Sequence, residues 1–214
     1  MTEQPITQPN KILSFYDLPE KGKNEWWRYI LSFIVLVVIY LGSNIVLATI
    51  LIAIVTLDNN PETDIVLETG TIAGINPILN FLVLMIGFVF MLLAVIIIVR
   101  LVHQRPLLSL ITTRSRFDWK RFGSGFLLFL LLAGTSSLVE SILYPERYQL
   151  TFNAREFLIF LPLILIFIPI QAGTEELLFR GYLLQSTGRI TRRFFIPPLV
   201  TSFIFMLLHL ANPE

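Results

Sequence analysis

Four side chains in the last part of the chain have the types and spacing to do chemistry: Glu175, Glu176, Arg180 and His209. The first three stand in QAGTEELLFRGYLLQ, Gln171 to Gln185, directly after the almost uncharged run from Phe157 to Ile170, where a membrane helix is expected. Ionisable groups cost about 2.5 to 3.5 kcal/mol each at the centre of a span, so a sequence that keeps three of them pairs them or uses them. Glu176 and Arg180 are four residues apart with the acid on the N-terminal side, the favourable order for mutual neutralisation on a helix. Glu175 is rotated by about 100° from Glu176 and cannot share that partner equally. A carboxylate left unpaired in a low-dielectric site is protonated, binds a cation or hydrogen-bonds a water. The last two are the work of a metal ligand or a hydrolytic general base.

His209 lies in the apolar run PPLVTSFIFMLLHLANPE. With a turn between Thr187 and Pro197, Glu175 sits twelve residues before one helix end and His209 twelve after the next helix start, about 18 Å along each axis. Antiparallel neighbours joined by a short loop pack together, so the two residues are expected at one depth, sharing a buried polar pocket, with Phe205 one turn below His209. The other histidine, His103, sits in the basic HQRP stretch and reads as a surface or interfacial residue. Two further readings of the charged stretch stay open. One is structural: an ion pair that fixes helix packing while His209 bonds a backbone carbonyl. The other is a proton relay in a transporter, although no pair of inverted repeats is visible.

The elements that must position these residues are membrane helices. Of 214 residues 55% are hydrophobic and 14% charged, and the mean hydropathy is +0.74, well above that of a soluble domain. A hydrocarbon core of about 30 Å takes about 20 apolar residues per helix, and the sequence predicts an all-α, polytopic transmembrane bundle of about five spans. The net charge of +1 points to no nucleic-acid partner. The absence of cysteine excludes disulfides, thiolate catalysis and Cys-ligated zinc.

Residues 1–28 read as a polar, extended or partly disordered arm that meets the membrane at Trp26, Trp27 and Tyr29. Residues 29–144 then hold three spans. The first runs from about Ile30 to Leu57, and Gly42, Ser43 and Asn44 near its middle allow tilt or close helix contact. The acidic stretch from Asp58 to Gly74 reads as an outer loop, and the second span covers Pro77 to Val99. Residues 100–121, with six Lys or Arg, form a basic loop that the positive-inside rule places in the cytoplasm together with the N-terminus. The third span, Phe122 to Tyr144, carries small residues suited to close helix approach, with Glu140 reaching interfacial water near its outer end. Pro162 and Pro169 in the fourth span predict a kink or break before Thr174, which would cap a restarted helix. Arg189, Arg192 and Arg193 return the chain to the basic side, and a fifth span follows from Pro197 to about Ala211. The chain is thus expected to be a multi-pass protein integral to the cell membrane.

Glu175-Glu176 with Arg180, followed by Phe205 and His209, resembles the EExxxR and FxxxH motifs of the CAAX-protease and bacteriocin-processing intramembrane peptidases, over roughly residues 157–214. The resemblance implies a membrane endopeptidase, with Glu175 activating the attacking water, Glu176 and Arg180 holding the helix and its charges, and Phe205 packing beside His209. It also implies that Glu175 and His209 bind or orient the water or a divalent metal such as Zn2+. The implied substrate is a peptide or lipidated protein tail at the bilayer. A non-catalytic family role, as in bacteriocin immunity or a membrane scaffold, is the alternative. Such peptidases carry a further His with an Asn or Asp on a later helix, whereas this sequence ends five residues past His209; Asn212 is expected to belong to the end of the fifth span. The expectation is a fragment of a longer protein, or a variant with reduced or no activity.

Overall fold

A computed structural model of the chain describes residues 14–58, 60, 62–66, 71–149, 151–191 and 193–210. The expected arm at 1–13, Arg192 and Asn212 lie outside the described residues.

Helix α1 is Trp26–Asp58, α2 is Pro77–Ile97, continued by a π-helical turn Ile98–Val102, and α3 is Trp119–Leu143. Helix α4, Ala154–Glu175, runs without interruption through a π-helical stretch, Glu176–Leu183, into α5, Leu184–Thr191, and α6 is Ile196–His209. Four of these helical runs are long and apolar enough to cross a membrane, and the fifth, α6, has 14 described residues. The chain is an integral membrane protein built as an α-helical bundle.

Sequence chemistry sets the helix starts. Asn76, Asp118 and Asn153 each precede a helix and accept a backbone N–H of its first turn through the side-chain oxygen. Pro77 follows Asn76 at the first position, where its missing N–H costs nothing. The break expected before Thr174 does not form. Thr174 lies inside the helix, and its hydroxyl donates to the Ile170 carbonyl at 2.6 Å rather than capping a new helix. The helix accommodates its prolines and changes instead two residues past Thr174, widening to i→i+5 bonding from Glu176.

In the acidic loop the chain adds a short antiparallel hairpin, β1 Asp64–Val66 with β2 Thr71–Ala73, in the register Ile65 opposite Ile72. The Asn80 side chain clasps both backbone groups of Ile72, at 2.8 and 2.7 Å. Ile72 is buried against Leu51 of α1 and Val83 of α2, which closes that end of the bundle.

Helix α2 is central, packed between α1 and α4, with Phe81 edge-on to Phe160 and Phe167. Helix α3 behaves differently from its expectation. None of its 25 residues is buried, and its glycines at 123, 125 and 134 face open space rather than a neighbouring helix. Its leucines and phenylalanines are exposed around the whole circumference, a surface suited to lipid. Gly42 of α1 likewise meets nothing, while Ser43 beside it is buried.

The other end of the bundle holds the tightest packing. The segment just before α1 is ordered, contrary to its reading as an extended arm: Phe15–Lys21 forms a short 3-10 helix with Leu18 and Pro19 buried against α5 and the turn at Leu107–Leu110. Gly22 brings the backbone so close to α2 that a Cβ there would lie 2.4 Å from the His103 carbonyl oxygen. That carbonyl accepts the Lys23 N–H at 2.7 Å.

His103 is not at the surface. It is 1% exposed, and its ring joins three elements. Nδ1 donates to the Lys23 carbonyl at 2.9 Å, so Nε2 of the neutral ring is an acceptor. The Ser32 hydroxyl, 3.2 Å away, already donates to the Arg28 carbonyl, which leaves the Tyr182 hydroxyl at 3.0 Å as the donor to Nε2. Nearby, Arg105 is 3% exposed and donates to Gln185 Oε1 at 2.8 Å, while Gln185 Nε2 donates to the Ser109 carbonyl at 2.7 Å. The HQRP stretch looked solvated because it is polar; His103 and Arg105 in it are buried because the N-terminal segment folds over them and fixed partners meet the His103 ring and Arg105 Nη1, although Arg105 Nε has none among the described residues.

Burial pushes the His103 imidazole below its ordinary value of 6.5, against the raising effect of the Lys23 carbonyl, and Arg105 and Arg28 push it further down. The unfolded chain therefore takes up the proton first as the pH falls. The stability contributed by neutral His103 is complete above about 6.5 and declines below that value. Thermal unfolding in detergent should show a midpoint that falls between pH 7.5 and pH 5, with His103→Gln flattening that dependence.

Candidate active site

The fourth helical run and α6 form the candidate site. They are joined by a short connection and lie antiparallel. Between them is a cleft holding about 90 Å³ of water-accessible space, walled on one side by Glu175, Glu176, Phe179 and Arg180 and on the other by Thr201, Ser202 and Phe205. That is room for several water molecules.

The charges divide as their spacing requires. Arg180 Nη1 donates to Glu176 Oε1 at 2.5 Å, and both side chains are largely exposed on the protein surface. Glu175 is half-buried and, among the described residues, makes no hydrogen bond or ion pair. It is thus a carboxylate presented to the cleft with its lone pairs free.

The register of the two helices comes from one aromatic contact. Phe179 and Phe205 meet edge-to-face with ring centroids 5.1 Å apart. In an antiparallel pair, one turn back from Phe179 is Glu175 and one turn on from Phe205 is His209, so these two stand at the same level to within about a turn. The His209 ring stacks on Phe205 at 4.0 Å, and its Nδ1 donates to the Phe205 carbonyl at 2.7 Å. A carbonyl can only accept, so the proton is on Nδ1 and Nε2 of the neutral ring keeps its lone pair. His209 does not line the cleft itself; it stands at its edge, one turn beyond Phe205.

Among the described residues no three or more His, Asp or Glu gather in a way that would hold a metal ion. A catalytic zinc takes three protein ligands and a water, so Glu175 and His209 by themselves do not fit one. Beyond the residues singled out by motif, Ser202 and Thr201 also reach the cleft. Their signal in the sequence is positional: Ser202, Phe205 and His209 recur at i, i+3 and i+7 on one face of α6.

The supporting contacts come from the buried end of the bundle. Tyr182, in the same π-helical stretch as Glu176 and Arg180, packs with Val95, Ile98, Val99 and Leu110 and is tied to His103. Below it Gly188 of α5 lies against Tyr16, whose ring atoms would stand 2.3 Å from a Cβ at that position. The helix bearing the carboxylates is therefore fixed by its lower half.

Comparison with known proteins finds two similarities. Residues 155–214 match the family model described as Rce1-like, type II CAAX prenyl endopeptidase. The chain is also 34% identical over 197 residues to the uncharacterized protein YyaK of Bacillus subtilis, a match covering 92% of this chain and 64% of that protein. The chain thus spans somewhat less than two thirds of the length of this curated relative. No solved structure matches it. The matched segment contains the unpaired carboxylate, the neighbouring ion pair and the aromatic-histidine face opposite them, and over that segment the chain is similar to the Rce1-like type II CAAX prenyl endopeptidases.

Proposed function

We propose that the protein is an intramembrane endopeptidase of the CAAX type, hydrolysing a peptide bond in a membrane-associated peptide or lipidated protein tail. The observation that carries this reading is Glu175, a half-buried carboxylate without a partner among the described residues, in a cleft with room for water between a membrane-spanning helix and α6. Hydrolysis needs a base beside a water, and such a carboxylate is placed to take the water's proton as it attacks the scissile carbonyl. His209, with its Nε2 lone pair free, is suited to accept a hydrogen bond from the same water, and the proton that Glu175 takes up then passes to the leaving amine.

Glu176 and Arg180 have a different part. Their ion pair cancels two charges within the span and keeps Arg180 from drawing Glu175 into a salt bridge. Removing either partner strands the other charge. Glu176→Gln and Arg180→Ala should therefore have matched phenotypes: lower yield in the membrane and activity reduced by similar factors. The comparison is made by membrane yield and turnover per folded molecule. A normal yield in one variant and a collapsed yield in the other would contradict the pairing.

The test of the function is cleavage of internally quenched peptides, with and without a prenyl chain, by the complete gene product in liposomes. Turnover of either substrate supports the peptidase. No turnover of any membrane-bound peptide by well-folded protein would favour the non-catalytic role.

A further inference from the structure

Ser202 is the hydroxyl of the cleft wall that no bond within its own helix satisfies, unlike most hydroxyls of the membrane helices. Thr49, Thr56, Thr135, Ser186, Thr187 and Thr201 each donate to a carbonyl of their own helix four residues back, which satisfies the hydroxyl without outside help. Ser202 makes no hydrogen bond to any described residue. The acceptor it would use, the Pro198 carbonyl, already receives the Thr201 hydroxyl at 3.2 Å. The Ser202 side chain is exposed and forms part of the wall that faces Glu175 and Arg180. With no intrahelical bond to hold it, its proton is available to whatever enters the cleft.

Its distance from the candidate base defines what it meets. Phe179 and Phe205 fix the register, Glu175 lies one turn to one side of that contact and Ser202 about one turn to the other. The separation along the groove is about 10 Å. An extended peptide advances about 3.3 Å per residue, so a chain whose scissile bond lies at Glu175 passes Ser202 about three residues away. The peptide group there offers a carbonyl acceptor and an amide donor, whereas the serine hydroxyl supplies the donor that a carbonyl needs.

We propose that Ser202 is a substrate-binding residue that donates a hydrogen bond to a backbone carbonyl of the bound peptide, about three residues from the bond that is cut. The proposal rests on the peptidase reading. It makes the recognised feature the main chain, so the contact is independent of side-chain sequence at that position and favours an extended, unfolded segment.

The experiment uses the complete gene product in liposomes and a peptide that the wild type cleaves. Ser202→Ala should raise KM by about 3- to 15-fold, the worth of one neutral hydrogen bond, with kcat within twofold. Ser202→Thr, which keeps the hydroxyl, should recover most of the affinity. A series of peptides in which single backbone carbonyls are replaced by methylene groups should contain one, about three residues from the scissile bond, that weakens wild-type binding but not binding to Ser202→Ala. An unchanged KM in Ser202→Ala, or a loss confined to kcat, would overturn the proposal while leaving the peptidase reading standing. If the wild type cleaves nothing, the peptidase reading fails first and Ser202 loses its substrate with it.

Discussion

Glu175→Gln is expected to reduce kcat by about 10²- to 10⁴-fold while leaving the protein folded and inserted. The substitution removes the basic oxygen and changes almost nothing else. The amide has nearly the same shape, and Glu175 holds no hydrogen bond or ion pair among the described residues that the change would break. A buried charge without a partner also costs stability, so the neutral amide should raise the unfolding temperature slightly or leave it unchanged. This separates Glu175 from its neighbour. Glu176→Gln removes the partner of Arg180 and should lower stability as well as turnover. Turnover in liposomes, membrane yield and thermal unfolding together check both statements. Full turnover by Glu175→Gln would remove this residue from the role of base.

Gly188→Ala is expected to destabilise the protein by about 1 to 3 kcal/mol, far more than an alanine usually costs within a helix. In α5 the absent side chain leaves space for Tyr16, whose Cδ1, Cγ and Cε1 atoms lie 2.3, 2.7 and 3.0 Å from the position of an added Cβ. These are ring atoms near the base of the side chain, and Tyr16 is further held by its hydroxyl donating to the Phe194 carbonyl at 3.3 Å. The ring cannot simply swing aside. An alanine there should lift the 3-10 segment Phe15–Lys21 from α5. Tyr16→Ala in the same chain removes the clash and should restore part of the loss, giving a coupling between the two sites in a double-mutant cycle. Thermal unfolding in detergent measures it. Additive losses at the two positions would mean that they do not touch. Because α5 continues the helix that carries Glu175, Gly188→Ala should also lower turnover, and the double variant should recover it.

The distribution of apolar residues was enough to read a membrane bundle and its helices, because the bilayer demands long uninterrupted apolar runs and backbone bonding within each segment. The division of labour among the charges was also legible. Glu176 and Arg180 pair because four residues on a helix bring them together, and that same rotation leaves Glu175 alone. The level match of Glu175 and His209 followed from counting residues about one tight turn, and the Phe179–Phe205 contact gives the same register. These are local or near-local relations, fixed by helix geometry.

What only the tertiary structure decided depends on segments far apart in the sequence. His103 looked like a surface histidine because its neighbours are polar, yet Lys23, Ser32 and Tyr182 enclose it from three separate elements. The ordered segment before α1 was illegible for the same reason: its few apolar residues, Leu18 and Pro19, find their cover on α5 and on the turn after α2. The prolines of α4 suggested a break, but packing against α2 keeps the helix continuous and the irregularity appears downstream as π-helical turns. Sequence periodicity specifies which face of a helix is apolar; it carries no information about which distant polar groups will be brought close enough to satisfy one another. That pairing, settled by the fold, is what turns a solvated-looking stretch into a buried support for the helix that carries Glu175.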